Sequence, residues 1–279
     1  MRNERNFQSK QAGRGFSLIE LLVVVAMISL VLTGILTQIE QVQQRSIAEQ
    51  GKVDDFQQAR DFLDQIFQDT RQMGFPNLRN YDTSLNPPTN ACTATATWTT
   101  ATINGLTSYA NDCRMAIGLV KLTATELDLQ GDVDGSGRVS VVSYKINGNG
   151  NCTTCIQRAQ VYKVTGDALT GQSNLTAASY TVEVQNVQNT TSVFSAFDVN
   201  ANAVTLPIDM TTSSGKSVAQ VRTIQAQLKI ASPTAVDPKT RQQIEADIEG
   251  RVQVVNCSMA TTLSASGLTQ IGEVMPTCQ

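Results

Sequence analysis

The sequence predicts an α+β protein in which one long amino-terminal helix packs on an antiparallel β-sheet head. Two observations carry this prediction. An apolar run from Phe16 to Leu36 continues, in steps of three and four residues, as far as Met73, which is the period of a helix. The chain beyond it contains short segments rich in β-branched residues, separated by Gly, Asn and Asp, which is typical of strands joined by turns.

The first part of the predicted helix is long and apolar enough to cross a bilayer. Within Phe16–Leu36 the only polar residues are Ser17, Glu20, Ser29 and Thr33. At a rise of 1.5 Å per residue, the run spans about 30 Å, the thickness of a bilayer core. Four basic residues and one acidic residue precede it, so the positive-inside rule predicts that residues 1–15 stay cytoplasmic. We expect a transmembrane segment over residues 16–37, with the rest of the chain outside the inner membrane.

Residues 38–74 are predicted to continue the helix as an amphipathic half that packs under the head. The apolar positions that carry the period are Ile39, Val42, Ile47, Val53, Phe56, Ala59, Leu63, Ile66 and Phe67. Gly74 and Pro76 follow and give a stop signal after Met73.

Residues 75–279 are predicted to form the β-rich head. Its first part, Asn77–Asp112, is expected to be an irregular loop. The segments predicted as strands are Met115–Leu122, Glu126–Leu129, Val139–Ile146, Ile156–Val164, Tyr180–Val187, Val193–Val199, Val218–Ala231 and Ala246–Cys257.

A single carboxylate, Glu20, stands in the apolar run and requires an explanation. A charge at membrane depth costs about 2.5–3.5 kcal/mol on insertion scales, and no basic residue lies between Phe16 and Leu36. A cleaved secretory signal or an ordinary signal anchor explains the length of the segment but leaves Glu20 unexplained. A cut between Gly15 and Phe16 would create an α-amino group, largely cationic at neutral pH, one helical turn from Glu20.

The stretch Gly15-Phe16-Ser17-Leu18-Ile19-Glu20-Leu21-Leu22-Val23 resembles the class III signal of type IV pilins and type II secretion pseudopilins. In that family, prepilin peptidase cuts after the Gly and methylates the new amino-terminal Phe. The resemblance implies that residues 1–15 are a leader removed at Gly15, that Phe16 is N-methylated, and that Glu20 serves assembly and register. It covers only the amino-terminal part of the chain.

Two departures from the family pattern favour a minor subunit over the main fibre subunit. Thr37 stands where major pilins usually carry a Pro, and Ser29 stands where a Gly is common. The length and the later strands resemble minor pilins of the PilW/PulJ type. The expected function is a minor pilin that primes assembly or sits at the pilus tip. The alternatives are a J-type pseudopilin of a type II secretion system, or a tip adhesin that binds through Asn77–Asp112.

The resemblance also implies partners and a location. The partners are prepilin peptidase, other pilins bound through the amino-terminal helix, and the inner-membrane assembly platform. The chain would first span the inner membrane once, with its head in the periplasm, and would then join a fibre at the cell surface.

Six cysteines predict disulfides in an oxidising compartment, because an even number follows an export-like segment. They are Cys92, Cys113, Cys152, Cys155, Cys257 and Cys278. Fifteen pairings are possible, and local closure favours 92 with 113, 152 with 155, and 257 with 278. The C-x-x-C spacing of Cys152 and Cys155 also fits a redox or metal-bound pair. Its position between a Gly/Asn turn and a strand favours a structural disulfide.

The segment from Asp132 to Ser140 is the candidate metal site. Calcium loops place oxygen ligands at alternating positions and a Gly at the sharp turn. Asp132, Asp134 and Ser136 supply side-chain oxygens, and the carbonyl of Arg138 would be the next ligand. Ser143 stands where an EF-hand has its bidentate Glu, so the ligand set is incomplete. A Gly-rich β-turn with solvated Asp side chains is the alternative.

The composition argues against catalysis and against nucleic-acid binding. The chain has no histidine, which removes Ser-His-Asp and Cys-His catalysis and every His-ligated metal site. Its formal charge is −3, and no basic patch follows the leader. We therefore expect no enzyme activity, no nucleic-acid partner, and no cofactor other than the calcium considered above.

Overall fold

The computed structural model describes residues 17–76, 101–103, 106–108, 112–146, 154–164, 175–176, 179–189, 192–209, 220–237 and 240–254. Its dominant element is one helix, α1, which runs from Leu18 to Gln72 over 55 residues, about 82 Å. The predicted helix, Phe16–Met73, agrees with these bounds. Gly51 lies inside α1 without interrupting it.

Eleven strands are found among the described residues. They are β1 Ala101–Ile103, β2 Leu106–Ser108, β3 Leu119–Leu122, β4 Glu126–Gly131, β5 Ser140–Ile146, β6 Cys155–Tyr162, β7 Tyr180–Gln185, β8 Phe194–Phe197, β9 Ile208–Asp209, β10 Thr223–Val236 and β11 Gln243–Gln253. Each of the eight segments predicted as strands overlaps one of these, with ends that differ by up to five residues.

The strands form three antiparallel sheets. The largest has six strands in the order β7-β6-β5-β4-β3-β9, the second has three in the order β11-β10-β8, and β1 pairs with β2 alone. An isolated bridge between Val187 and Ile230 links the two larger sheets. One long helix packed on antiparallel sheets confirms the predicted α+β fold class.

The core lies between the two larger sheets and the carboxyl-terminal part of α1. Phe62, Leu63 and Ile66 of the helix are buried in one cluster with sheet residues such as Leu129 and Leu228. Helix α1 contacts β10 and β11 of the three-stranded sheet, and β4 and β7 of the six-stranded one. Burial of these apolar side chains fixes the helix to the head, at roughly 1.5–3 kcal/mol for each side chain that is fully buried.

The head covers less of the helix than the sequence pattern predicts. The apolar stripe begins at Ile39, yet every residue from Ser17 to Ile47 is exposed, and Ala48 is the first buried helix residue. Ile39, Val42, Ile47 and Val53 are all exposed. The period identifies an apolar face, but it does not say whether the same chain or another molecule covers that face.

A second difference concerns Asn77–Asp112, which was predicted to be entirely irregular. The short strands β1 and β2 lie in it and pair with Ile103 opposite Leu106. The sequence between them is Asn104-Gly105, the dipeptide preferred in two-residue hairpin loops. This dipeptide is a local signal for a hairpin, and it should have been given more weight than the polar composition around it.

Candidate functional site

The amino-terminal part of α1, from Leu18 to Thr37, is an apolar rod that no described part of the head covers. Leu18, Leu30 and Val31 are 79%, 74% and 63% exposed. In length and composition the helix meets the requirements for a membrane span, and none of its most apolar stretch is buried inside the protein. Exposing this much apolar surface to water is unfavourable in free energy. The rod therefore requires lipid or other apolar helices around it.

The few hydroxyl groups of this rod are satisfied within the helix. Ser29 donates to the carbonyl oxygen of Val25 at 2.8 Å, Thr33 donates to that of Ser29 at 2.7 Å, and Thr37 donates to that of Gly34 at 2.9 Å. Such back-bonding allows Ser and Thr to reside in an apolar medium. The positions that depart from the major-pilin pattern are thus accommodated in a continuous helix.

Glu20 is the one charged side chain of the rod and lies in the first turn of α1. Its side chain is exposed, and among the described residues no basic group lies within ion-pair distance of it. A carboxylate in the first turn is favoured by the helix dipole, but the dipole is no substitute for a counter-ion in an apolar medium. Gly15 and Phe16 lie outside the described residues, so the predicted cleavage and methylation at these positions stay predictions.

The buried end of α1 is joined to the six-stranded sheet by a polar cluster that the sequence did not indicate. Asp69 of the helix is fully buried, and its Oδ2 accepts a hydrogen bond of 2.5 Å from the Tyr144 hydroxyl. The Arg158 guanidinium donates to the same oxygen from Nε at 3.0 Å and lies 2.9 Å from it at Nη2. Burial and the Asp69 carboxylate raise the pKa of Tyr144, so its hydroxyl stays a donor at any physiological pH.

Two glycines allow the close approach of helix and sheets. A Cβ atom on Gly131, at the end of β4, would lie 2.4 Å from the carbonyl oxygen of Gln72. A Cβ on Gly250 of β11 would lie 2.3 Å from Cζ of Phe67. The carboxyl-terminal turn of α1 is further held where the Gly74 amide donates to the carbonyl oxygen of Gln130 at 2.8 Å.

The Asp132 loop connects β4 to β5 beside the end of α1. The Asp132 amide donates to the carbonyl oxygen of Phe75 at 2.8 Å, which ties the loop to the chain that follows the helix. Asp132 Oδ2 accepts from the Gly137 amide at 2.9 Å, and Asp134 Oδ1 accepts from the Ser136 amide at 3.0 Å. Gly137 has φ of 78°, a conformation that favours glycine.

Neighbouring strand β6 adds contacts to this loop that the sequence did not reveal. The Tyr162 hydroxyl donates to Asp134 Oδ2 at 2.8 Å, and the Arg138 guanidinium stacks on the Tyr162 ring with 3.8 Å between its Cζ and the ring centroid. Burial alone would raise the pKa of Asp134, but hydrogen bonds from Ser136 and Tyr162 lower it. Asp134 is therefore an anion at neutral pH.

Two of the six cysteines lie in the described part of the chain. Cys113 precedes β3 and Cys155 begins β6, and both are buried and disulfide-bonded. Cys92 and Cys152, the partners that local closure favours, lie outside the described residues, as do Cys257 and Cys278. The pairing therefore stays a prediction.

Comparison with known proteins bears on the amino terminus alone. The family model for the prokaryotic N-terminal methylation motif matches residues 10–36. No curated protein and no solved structure matches the chain. The matched segment includes Gly15, Phe16 and Glu20 and runs into the exposed rod of α1.

The motif, together with the fold, supports one class of protein. They support a type IV pilin-like or pseudopilin-like protein that prepilin peptidase processes and that assembles with other pilins. The apolar helix and the signal support an anchor in the inner membrane.

Proposed function

We propose that this protein is a minor pilin, incorporated in a type IV pilus through α1 and acting in assembly priming or at the fibre tip. The observation that carries the proposal is the exposed apolar rod that continues directly from the methylation motif. Because the head packs only on the carboxyl-terminal part of α1, the rod is free to pack with the helices of other subunits. Its task is then assembly, and no catalytic step is required.

Glu20 would set the register of that packing. In a fibre core, the methylated amino group of a neighbouring subunit would be the counter-ion that the described part of this chain does not supply. A subunit that enters in the wrong register would leave two buried charges unpaired, and an unpaired buried charge costs several kcal/mol. The inner-membrane assembly platform is the partner that would move the processed subunit from the bilayer into the fibre.

The large head favours a minor role. A main fibre subunit packs identical copies along the whole fibre, whereas a priming or tip subunit needs to pack only beneath its own head. A J-type pseudopilin of a type II secretion system is the alternative, and the amino-terminal motif accommodates both.

The first test is the intact mass of the chain purified without reductant from membranes of its own host. The expected mass lacks residues 1–15 and gains one methyl group on Phe16, and comparison with the reduced protein counts the disulfides. A mass that retains the leader, in cells with active prepilin peptidase, would overturn the pilin proposal. Deletion of the gene then separates the alternatives: loss of surface pili supports the minor pilin, and loss of protein secretion with intact pili supports the pseudopilin.

A further inference from the structure

We propose that the loop from Asp132 to Arg138 binds a calcium ion that fastens the β4–β5 hairpin to the end of α1. The proposal concerns the head and is independent of the pilin function. Its ligands would be the side-chain oxygens of Asp132, Asp134 and Ser136 and the carbonyl oxygen of Arg138. Calcium loops use oxygens at this alternating spacing, with a glycine before the carbonyl ligand, and Gly137 stands at that position with φ of 78°.

One carboxylate oxygen of this loop is buried without a partner. Asp132 is only 8% exposed, and its Oδ1 has no accessible surface and no hydrogen-bond donor among the described residues. The other oxygen, Oδ2, is held by the Gly137 amide at 2.9 Å, so the carboxylate cannot satisfy Oδ1 by rotating. A buried carboxylate oxygen without a donor is costly, and a bound cation would remove that cost.

The second carboxylate, Asp134, lies two residues further along the same loop. It accepts hydrogen bonds from the Ser136 amide on Oδ1 at 3.0 Å, and from the Tyr162 hydroxyl and the Gln160 amide on Oδ2 at 2.8 and 3.5 Å. In the described part of the chain, neither carboxylate forms an ion pair with a basic side chain. Two carboxylate side chains in one short loop, neither of them paired with a basic group, favour the binding of a cation.

The ligand chemistry favours calcium over other metals and limits its affinity. All four ligands are oxygens, which suit hard cations, and the flexible geometry of calcium tolerates an irregular set. Among the described residues, no three Asp, Glu, His or Cys side chains converge on a metal position. Two carboxylates with one hydroxyl and one carbonyl correspond to a weak site, so we expect a Kd of roughly 0.1–1 mM, as in extracellular calcium modules.

The full-length chain in detergent tests the proposal by calorimetric titration with Ca²⁺ and by thermal unfolding with and without Ca²⁺. The expected result is saturable binding of one ion and a rise in Tm of about 3 °C at 10 mM Ca²⁺. Asp134→Asn keeps the size of an exposed side chain and should weaken binding at least tenfold. Asp198→Asn is the matched control, because the Asp198 carboxylate likewise accepts backbone amides, those of Asn200 and Asn202 at 2.8 Å, in another loop.

A second readout uses Tyr162 as a sensitiser. Tb³⁺ replaces Ca²⁺ in oxygen sites, and its emission is excited through a nearby tyrosine. The Tyr162 hydroxyl lies 2.8 Å from Asp134 Oδ2, so bound Tb³⁺ should emit and Ca²⁺ should quench the emission by displacement. Tyr162→Phe should remove the emission and leave calorimetric Ca²⁺ binding within a few-fold of wild type.

Three outcomes would overturn the proposal. One is the absence of both heat and Tm shift up to 10 mM Ca²⁺ in a chain whose circular dichroism shows it to be folded. Another is an equal response of wild type and Asp134→Asn. The third is an equal loss of binding in Asp198→Asn, which would mean that a carboxylate in another loop contributes as much as those of this loop.

Discussion

Tyr144 of the six-stranded sheet donates a hydrogen bond of 2.5 Å to Asp69, a fully buried carboxylate on the helix. The two residues are 75 positions apart in the chain, and the bond joins the two layers of the head at its centre. The Tyr144 ring also meets the Phe62 ring edge-on, with 5.9 Å between the centroids. One side chain therefore combines an apolar contact and a charge-assisted hydrogen bond to the same helix. The hydrogen bond can be removed while the ring contact is kept.

Tyr144→Phe should destabilise the head by about 1–3 kcal/mol, because the Asp69 carboxylate stays buried with one donor fewer. The ring contact with Phe62 is retained, so the loss reports the hydrogen bond. Tyr162→Phe is the matched control: Tyr162 is 39% exposed, and water can replace its bond to Asp134, so its effect should be under about 0.5 kcal/mol. Urea unfolding of the full-length chain in detergent measures both. Equal free energies of unfolding for the two variants would show that the hydrogen bond from Tyr144 to Asp69 contributes nothing to stability.

Glycine-to-alanine substitutions should rank the tightness of the helix contacts. Gly131→Ala places a Cβ 2.4 Å from the Gln72 carbonyl oxygen, a backbone atom that cannot move alone, and should cost about 1–3 kcal/mol. Gly250→Ala meets the end of the Phe67 ring, which can turn aside, so its cost should be smaller. Gly34→Ala meets nothing within 4 Å and replaces a glycine inside a helix, so it should not lower the unfolding free energy. Thermal unfolding of the three variants gives the order, and a harmless Gly131→Ala would contradict it.

The sequence predicted most of the fold because its main signals are local. The helix and the strand segments depend on periodicity within a few turns, and a mistake such as overlooking Asn104-Gly105 affects only its own hairpin. The order of the strands in the sheets could not be predicted from the sequence, because paired strands such as β3 and β9 lie far apart in the chain. Periodicity says which face of a strand is buried, but it does not say which strand lies beside it.

The candidate sites also differ in how much of each could be predicted from the sequence. Glu20 was found because a single carboxylate in an otherwise apolar run is evident from the sequence alone. Asp69 was missed because, on an amphipathic helix, a buried Asp and a solvated Asp such as Asp64 have the same sequence environment. Only the position of Arg158 and Tyr144 on separate strands distinguishes the two. For the Asp132 loop, the spacing gave the ligand candidates, while the contact with Tyr162 required the neighbouring strand.

A buried carboxylate should give the stability of the head a pH dependence. Burial is the main cause that raises the pKa of Asp128 from 3.8 to about 7, and the negative charge of Glu126 adds to it. The hydrogen bond with Ser143 and the positive charges of Lys145 and Lys121 oppose this rise. Between these two values the folded chain holds a proton that the unfolded chain has lost. The free energy of unfolding should therefore fall as the pH rises from about 4 to 7, and this loss should be complete above the folded pKa.

Asp128→Asn isolates that effect, because the amide is neutral throughout. The difference in unfolding free energy between wild type and the variant should change by up to about 1.4 kcal/mol per pH unit in the middle of the window, in favour of wild type at low pH. Urea unfolding at pH 4.5, 5.5, 6.5 and 7.5 measures it. Asp134→Asn serves as a control, since the pKa of Asp134 is lowered and its titration lies below this window. Parallel profiles for wild type and Asp128→Asn would mean that Asp128 stays ionised in the folded chain.

Glu20→Gln should separate membrane insertion from fibre assembly. The substitution keeps the shape of the side chain and removes its charge, so insertion should be undiminished, because a neutral group costs less at membrane depth. In a fibre, however, the amino group of the neighbouring subunit would lose its counter-ion, at a cost of several kcal/mol, and the amount of the protein in sheared fibres should fall at least tenfold. Glu40→Gln is the matched control, because Glu40 is an exposed carboxylate on the same helix beyond the apolar run, and the amount in fibres should be unchanged. Quantitative immunoblots of membrane and sheared fractions measure both variants. Fibres that contain wild-type amounts of Glu20→Gln would rule out a pairing role for this carboxylate, whereas equal losses in both variants would point to a general requirement for helix charge.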